Sequence, residues 1–199
     1  MAQTLILASS SEIRKTLLEN AGVPVKVKPA KVDEAALRDA MQADGAIPRD
    51  IADALAEMKA RKVSAKEGDT PVLGCDQVLA YRGQIFGKPE TRQEARTQLQ
   101  VLRGQSHQLL SAAVIYQSGE PLWRHVGVVR LTMRAFSDRY LETYLDRNWD
   151  SIRHSVGGYK LEEEGVRLFS SVQGDYFCVL GLPLLEVLAF MGLRGMIET

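Results

Sequence analysis

The sequence predicts an α/β fold built on a mixed sheet. Short apolar runs of strand length alternate along the chain with segments whose apolar residues recur at helical spacing, and this order of elements is typical of an α/β domain. Hydrophobic residues make up 45% of the 199 residues, which is enough for one substantial core. The chain has no internal repeat and no linker long enough to divide it, so residues 1–199 are predicted to form a single domain.

The first predicted elements are a strand and a helix. Thr4 to Ala8 is a short apolar run that predicts a buried strand. The next segment has apolar residues at helical spacing, and Gly22 supplies its stop, the spaced residues being Ile13, Leu17, Leu18 and Ala21.

Three serines lie in the turn between this strand and this helix. Ser9 with Glu12 three residues later fits a capping box, which predicts an ordinary helix start. The same turn also combines free backbone N–H groups at a helix N-terminus with hydroxyl groups and the cations Arg14 and Lys15, a combination that suits phosphate. The local pattern leaves both readings open.

The middle of the chain predicts two helices and a long strand. In VDEAAL, Asp33 and Glu34 suit a helix N-terminus because their negative charge faces the positive end of the helix dipole. A second helix follows Pro48. Pro71 to Ala80 is then an apolar strand, followed by the turn RGQ and the segment IFGKP.

The later elements are a capped helix, a hairpin and another helix. Thr91 with Glu94 predicts a capped helix that Gly104 ends. Gln108 to Tyr116 and Leu122 to Met133 predict two hairpin strands with QSGEP as the turn, and Ser137 caps a further helix with the apolar face Leu141, Tyr144 and Leu145.

Composition excludes several classes of protein. Twenty-five basic and twenty-five acidic residues give zero formal net charge, so no overall field would attract nucleic acid or an anionic membrane. No run of about eighteen apolar residues is present, and the N-terminus lacks the pattern of a signal peptide, so we expect a cytoplasmic protein. Two cysteines and three histidines without metal-ligand spacing argue against a disulfide framework or a zinc site, the residues being Cys75, Cys178, His107, His125 and His154.

Asp76 stands in the centre of the apolar run VLGCDQVLA. A buried charge costs several kcal/mol unless a partner or a metal compensates it, which makes Asp76 a candidate catalytic residue. The alternative is an aspartate that satisfies a neighbouring backbone group or an arginine.

Several basic residues and a glycine pair are weaker signals. Lys88 lies between Gly87 and Pro89 and is a cation on a constrained turn. Lys59, Arg61 and Lys62 predict a solvated basic face on their helix. The segment GGYK, residues 157–160, allows a close backbone approach to a ligand, and a hairpin or bulge explains its glycines equally well.

In their order, these segments resemble the Maf family of nucleoside triphosphate pyrophosphatases. The resemblance runs from about Thr4 to Phe190 through LILASSSEIRKTLLENAG, VDE, GCDQV, GKP, LRGQSH, GGYKLEEEG and QGDYFCVLGLP. It implies an elongated mixed β-sheet flanked by helices, with two lobes and a central nucleotide cleft. It also implies hydrolysis of a nucleoside triphosphate between the α- and β-phosphates, a divalent cation (Mg2+ or Mn2+) and often a homodimer.

The resemblance assigns roles to individual residues. Asp76 matches the proposed catalytic base, and Glu34 with Asp76 would supply carboxylate oxygens to the divalent cation, a ligand type that Mg2+ and Mn2+ prefer. The triphosphate would be held by polar and cationic residues, namely Ser9, Arg14, Lys59 and Lys88. A nucleotide-binding regulator of cell division without turnover is the alternative; an RNA-binding protein is not supported because the charge is neutral and aromatic residues are only 7%.

Three departures from the commonest family pattern bear on the substrate. Ile13 stands where many relatives have an arginine, Gln77 where they have a threonine, and Glu162 where they have a glutamine. The commoner pattern resembles the dTTP and UTP hydrolysing branch, whereas the variants here resemble the branch acting on 7-methyl-GTP. A carboxylate at Glu162 suits the donor edge of a positively charged 7-methylguanine, so we predict a preference for 7-methyl-GTP. A solvated acidic run is the alternative explanation of Glu162.

Overall fold

The computed structural model describes residues 3–198. In this part of the chain seven strands form one mixed sheet flanked by helices, which confirms the predicted α/β class. The strands are β1 (Leu5–Leu7), β2 (Val25–Val27), β3 (Val72–Tyr81), β4 (Gln84–Phe86), β5 (Ser106–Gln117), β6 (Glu120–Met133) and β7 (Phe169–Gln173).

Two kinds of strand pairing meet at β3. The order across the sheet is β2-β1-β3-β5-β6-β7, and β4 pairs with β3 outside this path. β1 is parallel to both β2 and β3, whereas the pairs β3–β4, β3–β5, β5–β6 and β6–β7 are antiparallel. The parallel part is connected through helices, and the antiparallel part contains the predicted hairpin, whose turn is at Ser118 and Gly119.

Within residues 3–198, seven α-helices connect or cover the strands. They are α1 (Glu12–Asn20), α2 (Glu34–Ala43), α3 (Pro48–Ser64), α4 (Arg92–Leu102), α5 (Asp138–Ile152), α6 (Tyr176–Val179) and α7 (Leu184–Leu193). Side-chain caps begin three of them as the sequence predicts, because Asp33, Thr91 and Ser137 each accept a hydrogen bond from the backbone N–H three residues later.

The predicted capping box at Ser9 and Glu12 is wrong. Helix α1 begins at Glu12 with Ser11 as its N-cap, and the Ser11 side chain makes no capping hydrogen bond. The Ser9 hydroxyl instead accepts hydrogen bonds from the Ser11 N–H at 3.3 Å and from Arg14 Nη1 at 3.0 Å. Ser9 therefore braces the turn, and the start of α1 lacks a side-chain cap.

The apolar side chains pack in clusters on both faces of the sheet. One cluster lies under α4 and α5 and includes Leu99, Leu131 and Tyr144. A second packs β1 and β3 against α1 and α7, and a third packs α3 against β3 and β5. Alternate residues of β3 consequently face different helices, as expected for a strand buried on both sides.

The middle of β3 has one free edge. β1 pairs with β3 only at Val72 and Leu73, and β4 pairs with it only from Leu79 to Tyr81. Among the residues that the structure describes, no strand covers the edge from Gly74 to Val78. This gap lies just beyond the C-terminal end of β1, where open α/β sheets commonly bind ligands.

Within residues 3–198, no helix is both long enough and apolar enough to cross a membrane.

Candidate active site

A cleft of about 1170 Å³ opens at the free edge of β3. Its walls come from the serine turn, the start of α2, the turn after β4 and the segment that follows α5. The structure brings all the candidate residues into these walls, namely Ser9, Ile13, Arg14, Glu34, Lys59, Asp76, Gln77, Lys88 and Glu162. The volume is sufficient for a ligand the size of a nucleotide.

The serine turn forms one end of the cleft. Ser9, Ser10 and Ser11 all line it, together with the first residues of α1. Because the Ser11 side chain does not cap the helix, the first N–H groups of α1 face this region without a side-chain acceptor. The positive end of the helix dipole and these N–H groups favour an anion, so the geometry supports a phosphate-binding role for the turn.

Arg14 is buried and largely engaged by the protein itself. Its Nε donates to the carbonyl oxygen of Gly181 at 2.8 Å, and its Nη1 donates to Ser9 Oγ at 3.0 Å and to the carbonyl oxygen of Cys75 at 3.1 Å. These bonds tie the serine turn to β3 and to the turn after α6. Among the described residues no hydrogen-bond acceptor engages Nη2, so Arg14 positions the site and also lines it.

Asp76, Lys59 and Glu34 form an ion-pair group at the centre of the cleft. Lys59 Nζ lies 2.6 Å from Asp76 Oδ1 and 3.0 Å from Glu34 Oε1. The Lys59 and Asp76 side chains are only 8% and 10% exposed, whereas that of Glu34 is 46% exposed. The prediction of a solvated face on α3 is therefore wrong for Lys59, which turns inward to the buried carboxylate, while Arg61 and Lys62 are exposed.

Gly74 allows this ion pair to form. A Cβ at position 74 would lie 2.2 Å from the carbonyl oxygen of Ala56 and 2.6 Å from the backbone nitrogen of Ala60. Because residue 74 is a glycine, α3 packs directly on β3. The close approach places Lys59 beside Asp76, which points to the same face of β3 as Gly74.

Burial controls the protonation of the acidic and thiol groups here. Burial raises the pKa of Asp76 above its usual range, and the nearby ammonium of Lys59 opposes that shift. Burial also raises the pKa of the Cys75 thiol to about 11, so this neighbouring cysteine is protonated at neutral pH and is a poor nucleophile. Asp76 is thus the better candidate for a base in this part of the cleft.

The carboxylates of Asp76 and Glu34 fit a divalent cation. Both already contact one positive charge, Lys59 Nζ, so their oxygen atoms converge on a single point. Two carboxylates, with waters and phosphate oxygens completing the ligand shell, are a common arrangement for Mg2+. The donor set is therefore compatible with the predicted Mg2+ or Mn2+.

Lys88 approaches the cleft from the turn after β4. Its side chain is exposed, and the turn is anchored by the Gln98 Nε2 donor, which lies 3.2 Å from the Gly87 carbonyl oxygen. Arg38 on α2 lies near this turn and also lines the cleft. Together they put positive charge at the rim, where the phosphates of a ligand could reach it.

The three proposed specificity residues occupy different environments. Ile13 packs against the cluster between α1 and α7 and also lines the cleft. Gln77 Nε2 donates to Ser111 Oγ and to the carbonyl oxygens of Cys178 and Val179, each at 3.0 Å. The amide nitrogen of Gln77 therefore holds α6 against the sheet, and within residues 3–198 no hydrogen bond engages the side-chain oxygen.

Glu162 differs from the two glutamates that follow it. Glu163 accepts hydrogen bonds from Lys160 and Ser151, and Glu164 binds Arg147 and Asn148. Glu162 is exposed on the cleft wall, and within residues 3–198 no hydrogen bond or ion pair engages its side chain. The carboxylate of Glu162 is thus available to a ligand.

The glycine pair at Gly157 and Gly158 lies in a turn after α5 and in no strand, so the hairpin or bulge considered for it is wrong. Both glycines have positive φ, and a Cβ on Gly157 would lie 2.5 Å from Leu79 Cδ1. The turn places Tyr159 in the cleft wall, where its hydroxyl group contacts His107 Nε2 at 2.7 Å. His107 thus supports the wall from behind.

Sequence reasoning missed several charged or titratable residues of the cleft, among them Arg38, Arg153 and His154. Each is isolated in the sequence and outside any pattern that predicts a site. Only the packing of the segment after α5 against the rest of the cleft brings Arg153 and His154 there.

Comparisons with known proteins bear on this site. A family model described as Maf-like protein matches residues 4–193. A protein of Ruegeria pomeroyi named nucleoside triphosphate pyrophosphatase is 61% identical over 199 residues, with 100% of both chains covered. One from Roseobacter denitrificans with the same name is 62% identical over 195 residues and 98% of both chains, and a Mesorhizobium japonicum protein named 7-methyl-GTP pyrophosphatase is 44% identical over 198 residues and 100% of both.

Proposed function

The chain belongs to the Maf-like protein family, and on that premise we propose that it is a nucleoside triphosphate pyrophosphatase. The proposed reaction is hydrolysis of the bond between the α- and β-phosphates, which releases the nucleoside monophosphate and pyrophosphate. The observation that carries the proposal is the buried Asp76 paired with Lys59 at the centre of a cleft whose end is an uncapped helix N-terminus.

Asp76 is the proposed general base. In the nucleotide-free protein Lys59 Nζ donates to one oxygen of the Asp76 carboxylate, Oδ1. We assign the carboxylate the role of orienting a water molecule and accepting its proton. A raised pKa brings Asp76 nearer to the working pH than that of an ordinary aspartate, which makes its carboxylate a stronger base.

The cationic residues are proposed to bind the triphosphate and the departing pyrophosphate. Lys59 lies beside Asp76, so a phosphate bound by Lys59 is close to the water that Asp76 activates. Arg14 offers Nη2 to the phosphate, and its other nitrogen atoms are held by the protein. Lys88 lines the same cleft from the turn after β4. Negative charge that develops on the phosphate oxygens is stabilised by these groups and by the N–H groups of α1.

A divalent cation held by Asp76 and Glu34 would neutralise phosphate charge and complete the site. We propose Mg2+ or Mn2+ because the ligand oxygens are carboxylates.

The proposed substrate is 7-methyl-GTP. Two observations support it: relatives 44% and 43% identical are named 7-methyl-GTP pyrophosphatase, and Glu162 presents a free carboxylate to the cleft. The N1–H and N2–H2 edge of guanine donates hydrogen bonds, and 7-methylguanine is positively charged, so a carboxylate is a better partner than an amide.

The test is pyrophosphate release from 7-methyl-GTP, GTP, dTTP, UTP and CTP with Mg2+ or Mn2+. Wild-type protein and Asp76→Asn are compared at the same concentrations. The proposal expects turnover of 7-methyl-GTP above the other nucleotides and its loss in the variant. Turnover of dTTP and UTP instead would keep the reaction and overturn the substrate; nucleotide binding without any turnover would overturn the reaction.

A further inference from the structure

One ammonium group occupies the point on which two carboxylates converge. Lys59 Nζ lies 2.6 Å from Asp76 Oδ1 and 3.0 Å from Glu34 Oε1, and the Lys59 side chain is almost completely buried. In the proposed function these same carboxylates bind a divalent cation, and Lys59 binds phosphate. The two arrangements compete for the same carboxylate oxygens.

We propose that Lys59 controls access of a divalent cation to the two carboxylates, a role that we call a counter-ion gate. In the nucleotide-free protein its ammonium group pairs with Asp76 and Glu34. It moves away and leaves both carboxylates to a divalent cation only when a triphosphate attracts it. The inference rests on the proposed function and deepens it, because it assigns an order to metal and nucleotide binding.

Electrostatics gives the gate its strength. An ammonium within 3 Å of both carboxylates neutralises part of their charge and repels a second cation that approaches them. Asp76 and Lys59 are buried, so solvent screens the interaction between their charges only weakly. A divalent cation must displace the ammonium before it can use Asp76 fully.

Among the residues that the structure describes, Lys59 is the one cation that forms an ion pair with Asp76. Arg14 acts on Asp76 without forming an ion pair, because its Nε and Nη1 donors are engaged with Gly181, Ser9 and Cys75. When Lys59 moves, Asp76 therefore loses its directly paired cation, and a divalent cation becomes the stabilising partner.

A triphosphate can move Lys59 because it offers more negative charge in the same cleft. The ammonium is carried by four methylene groups that can turn toward phosphate oxygens without movement of α3. The substrate thus opens the metal position that its own hydrolysis requires. Metal and nucleotide binding become mutually favourable, as any coupling between two sites must be reciprocal.

The test measures Mn2+ binding by the nucleotide-free protein through the electron paramagnetic resonance signal of free Mn2+. Lys59→Met removes the ammonium, and Lys62→Met removes an exposed lysine one turn further along α3. We expect Lys59→Met to bind Mn2+ at least about tenfold more tightly than wild type. Lys62→Met should match wild type, and adding Asp76→Asn to Lys59→Met should remove the gain.

Equal or weaker Mn2+ affinity in Lys59→Met would overturn the gate. If the Met variant does not fold, Lys59→Gln keeps a donor for Asp76 and is subject to the same expectation. Pyrophosphate release by wild type is measured in parallel, so a failure of the gate can be distinguished from a failure of the proposed function. Turnover without the gain in Mn2+ affinity rejects the gate alone, whereas the gain without any turnover rejects the proposed function and keeps the gate.

Discussion

Gly74 on β3 lies against Ala56 on α3 so closely that a Cβ at position 74 would be 2.2 Å from the Ala56 carbonyl oxygen. The contact involves backbone atoms on both elements, so neither partner can move aside as a flexible side chain would. Lys59 is three residues beyond Ala56 and Asp76 two residues beyond Gly74, and the separation of helix and strand therefore decides whether their side chains meet.

We expect Gly74→Ala to damage stability and activity together. The added methyl group forces α3 away from β3, and overpacking of this kind costs about 3 kcal/mol when backbone atoms are involved. Urea denaturation should report the loss of stability, and pyrophosphate release should fall in the fraction that remains folded. Gly87→Ala is the matched control for stability, because its Cβ would be 3.7 Å from Arg38 Nη1; similar losses in both variants would contradict the explanation.

The pH dependence of turnover should report the state of Asp76. Burial raises the pKa of Asp76 above the ordinary value of 3.8, so turnover should rise with pH through a pKa higher than that value. Asp76→Asn should reduce kcat by about 10²-fold to 10⁴-fold, as is typical for removal of a general base. The profile of kcat against pH provides the measurement; an acid limb at or below pH 3.8 would argue against Asp76 as the titrating base.

Local patterns predicted much of the fold because they depend on neighbouring residues. The caps at Thr91 and Ser137 and the hairpin turn between β5 and β6 need only a few residues close in sequence. The predicted cap at Ser9 is wrong because contacts with distant residues decide the position of its hydroxyl group. Arg14 takes the Ser9 hydroxyl while it also binds Cys75 and Gly181, and contacts with such distant residues leave no local pattern.

Local patterns marked Asp76 and the serine turn as candidates, and the family resemblance supplied the other residues of the site. Lys59 looked like part of a solvated face because its helix has Arg61 and Lys62 nearby, and its burial follows from a pair formed seventeen positions along the chain with Asp76. Gln77 could be recognised as unusual, but its bonds to α6 could not, since residue 178 is a hundred positions away. Long-range packing decides these features.

His107 should make stability fall in acid. Burial lowers the pKa of His107 to about 4 from 6.5, so between these values the unfolded chain binds the proton more readily than the folded protein. The contribution of neutral His107 to the free energy of unfolding is complete above pH 6.5. It is lost as pH falls toward 4, and the loss is about 3 kcal/mol at most. Urea denaturation of wild type and His107→Gln at pH 7 and pH 4.5 tests this. The free energy of unfolding should fall more for wild type than for His107→Gln at the lower pH, and an equal fall in both would contradict the explanation.

Arg14 should not be replaceable by lysine. A lysine has one nitrogen, which cannot reach Ser9 Oγ and the carbonyl oxygens of Cys75 and Gly181 from different directions at once. We expect Arg14→Lys to lose about 2 kcal/mol of stability and at least about tenfold in kcat/KM. Thermal unfolding and pyrophosphate release measure the two effects. Lys15→Met, which removes a partly exposed cation next in the same helix, should change stability by only a few tenths of a kcal/mol; an equal loss there would show a general effect of charge.

Glu162→Gln should change the choice of substrate more than the rate of hydrolysis. The free carboxylate on the cleft wall is replaced by an amide of the same size, so a positively charged base with a donor edge loses a charge-assisted hydrogen bond. We expect kcat/KM to fall about tenfold for 7-methyl-GTP and little for UTP. Glu163→Gln is the matched control, because Lys160 and Ser151 already engage that carboxylate. Equal losses of kcat/KM for both nucleotides would show that Glu162 does not recognise the base, and so would an equal change of substrate preference in Glu163→Gln. The variant would then act through the phosphate-binding part of the site, which serves every nucleoside triphosphate.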